Sequence, residues 1–430
     1  MPDPTSHDAE LPVWERADSF PPAGPGWGWV DRRGERHACA SFEELAGEIV
    51  KDAGARVDLV WTPDSSGCVL PEEVPGLFPA MREARIRWAC WDIAEGKRQM
   101  TMFGAVVGAM LLFQLYRQGF RLHSLLSNGT IGFALLLFVL LGFFPWYRGR
   151  KRLGRARAWA VGEMAEDARV LRFEIWLVSQ RTPVTRMLLG LLAMVGLVQL
   201  YVEVREFNEA NYFHGLQGLR GLWEFVFRGF NTNGPTIPEA GLIKKLGGGA
   251  EDWWRLATAP FLHGHWLHWA MNASALAYLG KRVELFARWP HLVMAFAISA
   301  WIGGETSAHF SKGISVGASG GLMGLLGFLL VFESLHRRLV PESSRRRLLA
   351  GVMLTAGLGI VFSHFIDNAC HAGGLVAGMV YAALVFPKSA SPHRPGTTLV
   401  DVLLGGAAIG VLVCSAIFAC MKMLDLPMVL

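Results

Sequence analysis

Nine long apolar segments, near 101–116, 129–147, 184–203, 260–280, 291–309, 318–335, 348–366, 369–387 and 399–421, constrain this chain more than any other feature. Each is close to the length a helix needs to cross a hydrocarbon layer of about 30 Å. Inside such a layer no water satisfies backbone N–H and C=O groups, so these segments must cross as helices rather than as loop or open sheet. The 430 residues are 52% hydrophobic and only 18% charged, which excludes a string of soluble domains after about residue 100. The predicted class is an all-α polytopic membrane protein.

The loops give the spans a direction. "YRGRKRLGRAR" (147–157), "GKRVELFAR" (280–288), "HRRLVPESSRRR" (336–347) and "PKSASPHRPG" (387–396) concentrate Lys and Arg and alternate with loops that carry few. Such loops face the cytoplasm, and the alternation is consistent through every crossing, with the N-terminus cytoplasmic and the C-terminus outside. The formal net charge of +5 therefore follows from topology: the expected partner is the lipid bilayer, and no nucleic acid.

Residues 1–98 are different in kind. After a Pro-rich polar start, "SFEELAGEIVKDAG" (41–54) reads as a short capped amphipathic helix and "RVDLVW" (56–61) as a strand. Together they predict a small α+β cytoplasmic domain. The first residues show neither the basic region nor the apolar run of a cleaved signal peptide, which favours a bacterial cytoplasmic membrane. The six cysteines have no metal-ligand spacing and imply neither a disulfide framework nor a zinc site.

Polar and ionisable residues inside spans are costly and tend to mark function. Three segments carry them. His263, His265, His268 and Asn272 enter one span, with His268 and Asn272 four apart and hence on one helical face. Ser319 heads the stretch "GASGGLMGLLG" (317–327), and His371 lies in "DNACHAGGLVAG" (367–378). Gly320 and Gly324 form a G-x-x-x-G pair that Gly327 continues, and Gly374 and Gly378 form a second, so two helix backbones can approach closely. The order of crossings brings Ser319 and His371 to similar depth on the outer side.

A serine hydroxyl attacks at neutral pH only with a base in hydrogen-bond reach to take its proton, and His371 is the candidate. Acyl transfer also needs donors aimed at the developing oxyanion. The Ser319 N–H near a helix N-terminus, with the side chains of His268 and Asn272, would supply them. Each residue alone has a plainer explanation: serine is common in glycine-rich packing faces, and a buried histidine or a His–Asn pair can simply clamp two helices. Asp367, four before His371, could be the third member of a triad, but an Asp opening a helix is more often an N-cap. On the capping reading, Asp367→Asn costs little. The string H-x-H-x-x-H lacks the carboxylate pattern of a metal helix, and "GASGG" lacks the strand and soluble sheet that a hydrolase elbow requires. No cofactor or metal is implied. Compatible depth of serine, histidine and oxyanion donors makes the joint arrangement more telling than any single residue.

Through "WWRLATAPFLHGHWLHWAMNASALAYLGKRVE" (253–284), "GASGGLMGLLG" and "DNACHAGGLVAG", in that order, the chain resembles the rhomboid family of intramembrane serine proteases. The resemblance implies a six-helix core over 184–390, a nucleophile at Ser319, a base at His371 and an oxyanion site at His268 and Asn272. It also implies that His263 is a buried structural histidine, Glu284 a helix-linking carboxylate, 204–258 a membrane-lying outer loop, and 348–366 the span that yields to admit substrate. The substrate class implied is a single-span membrane protein whose helix unwinds locally, because an intact helix keeps its carbonyls hydrogen-bonded and screened. Around that core the sequence adds an N-terminal domain (1–98), a transmembrane hairpin with a basic linker (99–183) and a C-terminal span (391–430). Two other functions compete with an intramembrane serine endopeptidase: a catalytically inactive rhomboid-like protein that binds membrane clients, whose usual mark is loss of Ser319 or His371, and a transporter, which predicts internal repeats that this chain lacks.

Overall fold

The computed structural model describes residues 11–31, 33–51, 57–118, 134–135, 137–211, 236–245, 249–250, 252–361 and 366–425. They fall into two compact units, Met1–Ser179 and Gln180–Leu430.

In the first unit an antiparallel sheet orders its strands β2-β1-β3, with β1 at Trp27–Asp31, β2 at Arg36–Cys39 and β3 at Val57–Trp61. The amphipathic helix expected over 41–54 is α1, Phe42–Lys51, which buries Leu45 and Ile49. Its Glu43 and Glu44 stand in the first turn and Lys51 in the last, complementing the helix dipole at both ends. The strand expected over 56–61 is β3; β1 and β2 are additional. Helix α2 runs unbroken from Phe78 to Gln118, so position 98 falls within it. Its start contributes Ala80, Met81 and Ala84 to a core with Trp29, Leu45, Val60 and Trp159, while its later half is an apolar membrane span. One helix thus serves as domain scaffold and as span, which 41 residues permit at about 1.5 Å per residue. The returning chain passes through a π-helical turn at Phe138–Phe143 into α3, Phe144–Ala158, and α4, Met164–Ser179. Small residues allow the close return: a Cβ on Gly96 would lie 2.5 Å from the Trp146 nitrogen and one on Gly149 3.0 Å from that of Ile93.

The second unit is helical with one small sheet. Helices α5 (Pro183–Asn211), α6 (Trp266–Phe286), α7 (Trp289–Phe310), α8 (Ser319–Leu335), α9 (Glu342–Val361), α10 (Asn368–Val385) and α11 (Leu399–Met423) each coincide with an apolar segment of the sequence. Among the described residues four helices, α2, α5, α10 and α11, are long and apolar enough to span, and α8 is a shorter apolar helix. The protein is an integral multi-pass membrane protein. Helix α5 extends beyond the expected end at 203 to Asn211; most of the outer loop expected over 204–258 lies outside the described residues, as do 362–365 of the span expected over 348–366.

Polar ties fix the helices in the second unit. Glu284 on α6 accepts hydrogen bonds from the Val184 N–H (3.1 Å), the Thr185 N–H (2.7 Å) and the Thr185 hydroxyl (2.7 Å) at the start of α5, satisfying donors that a helix N-terminus leaves open. Arg282 on α6 and Glu333 on α8 form a fully buried ion pair. Helix α11 starts with a capping box between Thr398 and Asp401 and packs on α5 and α7, with Gly405 against Pro290. The described part of the outer segment forms strands β4 (Leu242–Lys245) and β5 (Gly249–Ala250), and β4 pairs antiparallel with β6 (Gly313–Ser315). That pairing carries the chain from the end of α7 towards Ser319.

Candidate active site

Ser319 is the first residue of α8, so its N–H is one of the four that a helix leaves unpaired at its N-terminus. It follows β6 through Val316, Gly317 and Ala318. Gly317 has φ +123°, a conformation L side chains rarely adopt, and its N–H donates to the Ala259 carbonyl at 2.9 Å. A Cβ there would lie 2.7 Å from His268 Cε1, 2.9 Å from His268 Nε2 and 3.4 Å from Asn272 Nδ2. The backbone leading to the serine therefore rests directly against the His268–Asn272 pair, which only a glycine permits.

His268 and Asn272 lie on one face of α6, as their spacing requires, with Asn272 Nδ2 3.1 Å from His268 Nε2. The same nitrogen is 3.0 Å from Nε2 of His263, and the rings of His263 and His268 meet edge to face. His263 is 1% exposed. Its backbone is held from α5 by Gln199, whose amide donates to the His263 carbonyl (2.9 Å) and accepts from the His263 N–H (3.1 Å). Sequence reasoning passed over Gln199; its one signal was an uncharged amide inside an apolar span. His265 caps α6 by accepting the Leu267 N–H on Nδ1 at 3.0 Å.

His371 stands in the first turns of α10, and α8 and α10 pack backbone to backbone through the glycines singled out in the sequence. A Cβ on Gly374 would fall 2.1 Å from the Gly320 carbonyl oxygen, one on Gly378 1.8 Å from that of Gly324, and one on Gly327 2.2 Å from that of Leu375. At the end of this seam where α8 and α10 begin, a Cβ on Gly320 would touch Cys370 Sγ at 2.7 Å. Ser319 and His371 are the chain neighbours of those two contacting residues. No hydrogen bond joins the two side chains among the described residues, and His371 Nδ1 is buried without a partner; nucleophile–base contacts commonly tighten only in the substrate complex.

Asp367 is the N-cap of α10, accepting the Cys370 N–H on Oδ1 at 3.0 Å. Its Oδ2 accepts from the hydroxyls of Ser307 and Ser315 and from the ammonium of Lys244. Burial alone would raise the pKa of this carboxyl; the two hydroxyls, the capping N–H and the ammonium together hold it below the ordinary carboxylate range. Because both oxygens are engaged and His371 Nδ1 is unpartnered, Asp367 does not orient that ring. Capping is the role the geometry gives it, and its four bonds also tie it to Ser307, Ser315 and Lys244. Lys244 was not among the residues the sequence pointed to.

Compared with known proteins, residues 250–388 match the rhomboid domain family model. The chain is 34% identical over 181 residues to the RHOMBOID-like protein 6, mitochondrial, of Arabidopsis thaliana, a stretch covering 39% of this chain and 58% of that protein. It is 31% identical over 185 residues to the rhomboid protease GluP of Bacillus subtilis, covering 43% and 36%, and 26% identical over 209 residues to the RHOMBOID-like protein 7 of Arabidopsis thaliana, covering 46% and 66%. The chain thus spans between about a third and two thirds of the length of these curated relatives.

Proposed function

The chain belongs to the rhomboid family by its domain over 250–388, and from that premise we propose that it is an intramembrane serine endopeptidase working through a Ser319–His371 dyad. The observation that supports the proposal is the glycine seam between α8 and α10, where Gly320 meets Cys370, the chain neighbours of Ser319 and His371, while Gly317 rests against His268 and Asn272. One relative is named a rhomboid protease.

In the proposed reaction Ser319 Oγ attacks the scissile carbonyl carbon as His371 takes the hydroxyl proton. The carbonyl oxygen becomes an oxyanion facing the Ser319 N–H, with the α8 dipole behind it and the side chains of His268 and Asn272 beside it. Collapse breaks the C–N bond, and His371 hands its proton to the departing amine. Water then attacks the acyl-serine, losing a proton to His371, which returns it to Ser319 as the new carboxyl leaves. His263 holds Asn272 from behind, Gln199 holds the His263 backbone, and neither takes part in proton transfer. The substrates proposed are single-span membrane proteins that unwind near the outer third of the bilayer, entering past α9, whose Met353, Leu354 and Ile360 are exposed. The basic loops support a cytoplasmic N-terminus. Plant relatives named mitochondrial or chloroplastic stand beside the Bacillus one, so the relatives do not support the bacterial cytoplasmic membrane over an organellar one.

The test is covalent labelling of the purified full chain with a fluorophosphonate probe, with mass spectrometry to locate the adduct. Wild type should carry it on Ser319, and Ser319→Ala and His371→Ala should not. A folded wild-type protein without adduct would instead favour a rhomboid-like binder of membrane clients that does not cut them.

Gly317→Ala probes the oxyanion side independently. A methyl group there meets His268 at 2.7 Å and strains the backbone at positive φ, so cleavage should fall by at least about a hundred-fold, the size of losing one oxyanion donor. Thermal melting should move little by comparison. Undiminished cleavage by Gly317→Ala would mean that His268 and Asn272 do not face the reacting carbonyl.

A further inference from the structure

We infer that Lys244 is a positioning residue for this chemistry, holding with Asp367 the registration between the strand that leads to the nucleophile and the helix that carries the base. The inference rests on the dyad reading above.

The ammonium of Lys244 has three protons and three acceptors: the hydroxyls of Ser307 and Ser311, each at 2.9 Å, and Asp367 Oδ2 at 3.2 Å. Its side chain is 3% exposed. A lysine so buried, with every donor used, is costly unless its partners are fixed. Lysine and partners together join three elements. Ser307 and Ser311 close the outer end of α7, Asp367 opens α10, and Lys244 itself stands on β4, whose Leu242 pairs with Ser315 of β6. Ser315 then closes the circuit by donating its hydroxyl to Asp367 Oδ2 at 2.6 Å.

Ser315 lies four residues before Ser319, and Asp367 lies four before His371, whose N–H it accepts on its backbone carbonyl at 3.1 Å. One carboxylate therefore receives a bond from the nucleophile's strand and caps the base's helix. The glycine seam sets how close α8 and α10 lie; the Lys244–Asp367 cluster sets how far each is advanced along the other. A shift of about an ångström in such a registration is enough to cost roughly a hundred-fold in rate.

Removing one charge alone would strand the other in a buried site, so the informative variant is the double change Lys244→Met with Asp367→Asn. Asparagine caps a helix about as well as aspartate, so α10 keeps its start and the variant keeps its fold. The measurements are steady-state cleavage of a single-span substrate in proteoliposomes, the rate of fluorophosphonate adduct formation, and thermal melting, all on the full chain. The expected result is a kcat and a labelling rate both lowered by roughly ten- to a hundred-fold, with KM within about two-fold and melting close to wild type. A double variant that labels and cleaves like wild type overturns the inference, as does one in which melting falls while the folded fraction labels at the wild-type rate. If wild type itself forms no Ser319 adduct, the dyad reading fails and this inference falls with it, an outcome distinct from the other two.

Discussion

The double variant Ser319→Ala/His371→Ala is expected to cleave no more slowly than either single variant. Each single change should lower kcat by something on the order of a million-fold, because nucleophile and base act on one proton and neither accelerates the reaction without the other. The loss is therefore incurred once and not multiplied. What remains should be the contribution of substrate binding and the oxyanion donors, roughly a thousand- to ten-thousand-fold over water. This residual distinguishes the dyad from simpler accounts. If His371 only packed against α8, His371→Ala would weaken activity modestly and the double variant would lose the product of both effects. If another group served as base, Ser319→Ala would be far worse than His371→Ala. The measurement is single-turnover cleavage of a single-span substrate in proteoliposomes, with enzyme in excess to resolve slow rates and an empty-vesicle control.

The four proposed site residues were legible in the sequence because each breaks a rule that the surrounding segment otherwise obeys. Ser319, His371, His268 and Asn272 are polar groups in apolar helices, where polar groups are expensive, and the spacing of Gly320, Gly324, Gly374 and Gly378 already indicated which two helices approach. Gly317 stood in view inside the same motif, but its role could not be read there: it depends on a φ of +123° and on what lies across from it on α6. Lys244 and Gln199 were silent for a related reason. Lys244 sits in a polar outer segment where a lysine is ordinary, and its meaning comes from partners 63, 67 and 123 positions away. Nothing local predicts that a charge in a surface-like stretch will be 3% exposed. Gln199 is matched by backbone groups of a loop 64 residues on, which no side-chain pattern announces. The same limit applies in the first unit. Strand β3 is rich in β-branched and aromatic residues, so it was visible; β1 is short and interrupted by Gly28, β2 carries Arg36 and His37, and both become strands because β1 pairs with β2 on one side and β3 on the other. Local propensity is a weak guide where cross-strand partners decide.

Gly378→Ala should unfold the helical unit more readily than any other single-methyl change in it. The added carbon would sit 1.8 Å from the carbonyl oxygen of Gly324, about half the ordinary contact distance of non-bonded atoms. The atom it meets belongs to a helix backbone and cannot rotate away, so α10 must move off α8. That separation also loosens Gly374 from Gly320 and Gly327 from Leu375, so one methyl group opens the whole seam. Overpacking in a well-filled core costs about 1–3 kcal/mol and occasionally more, and this position belongs at the upper end because backbone meets backbone. Gly406→Ala on α11 is the matched control: nothing lies within 4 Å of its added carbon, and alanine is favoured over glycine in a helix by roughly 1 kcal/mol. Thermal unfolding in detergent should therefore show Gly378→Ala well below wild type and Gly406→Ala at or above it. At temperatures where Gly378→Ala is still folded, its fluorophosphonate labelling should already be lost, because Ser319 and His371 depend on the seam for their proximity. Equal melting of the two variants would mean that α8 and α10 do not meet through their glycines, and the proposed nearness of serine and histidine would lose the contact it chiefly rests on.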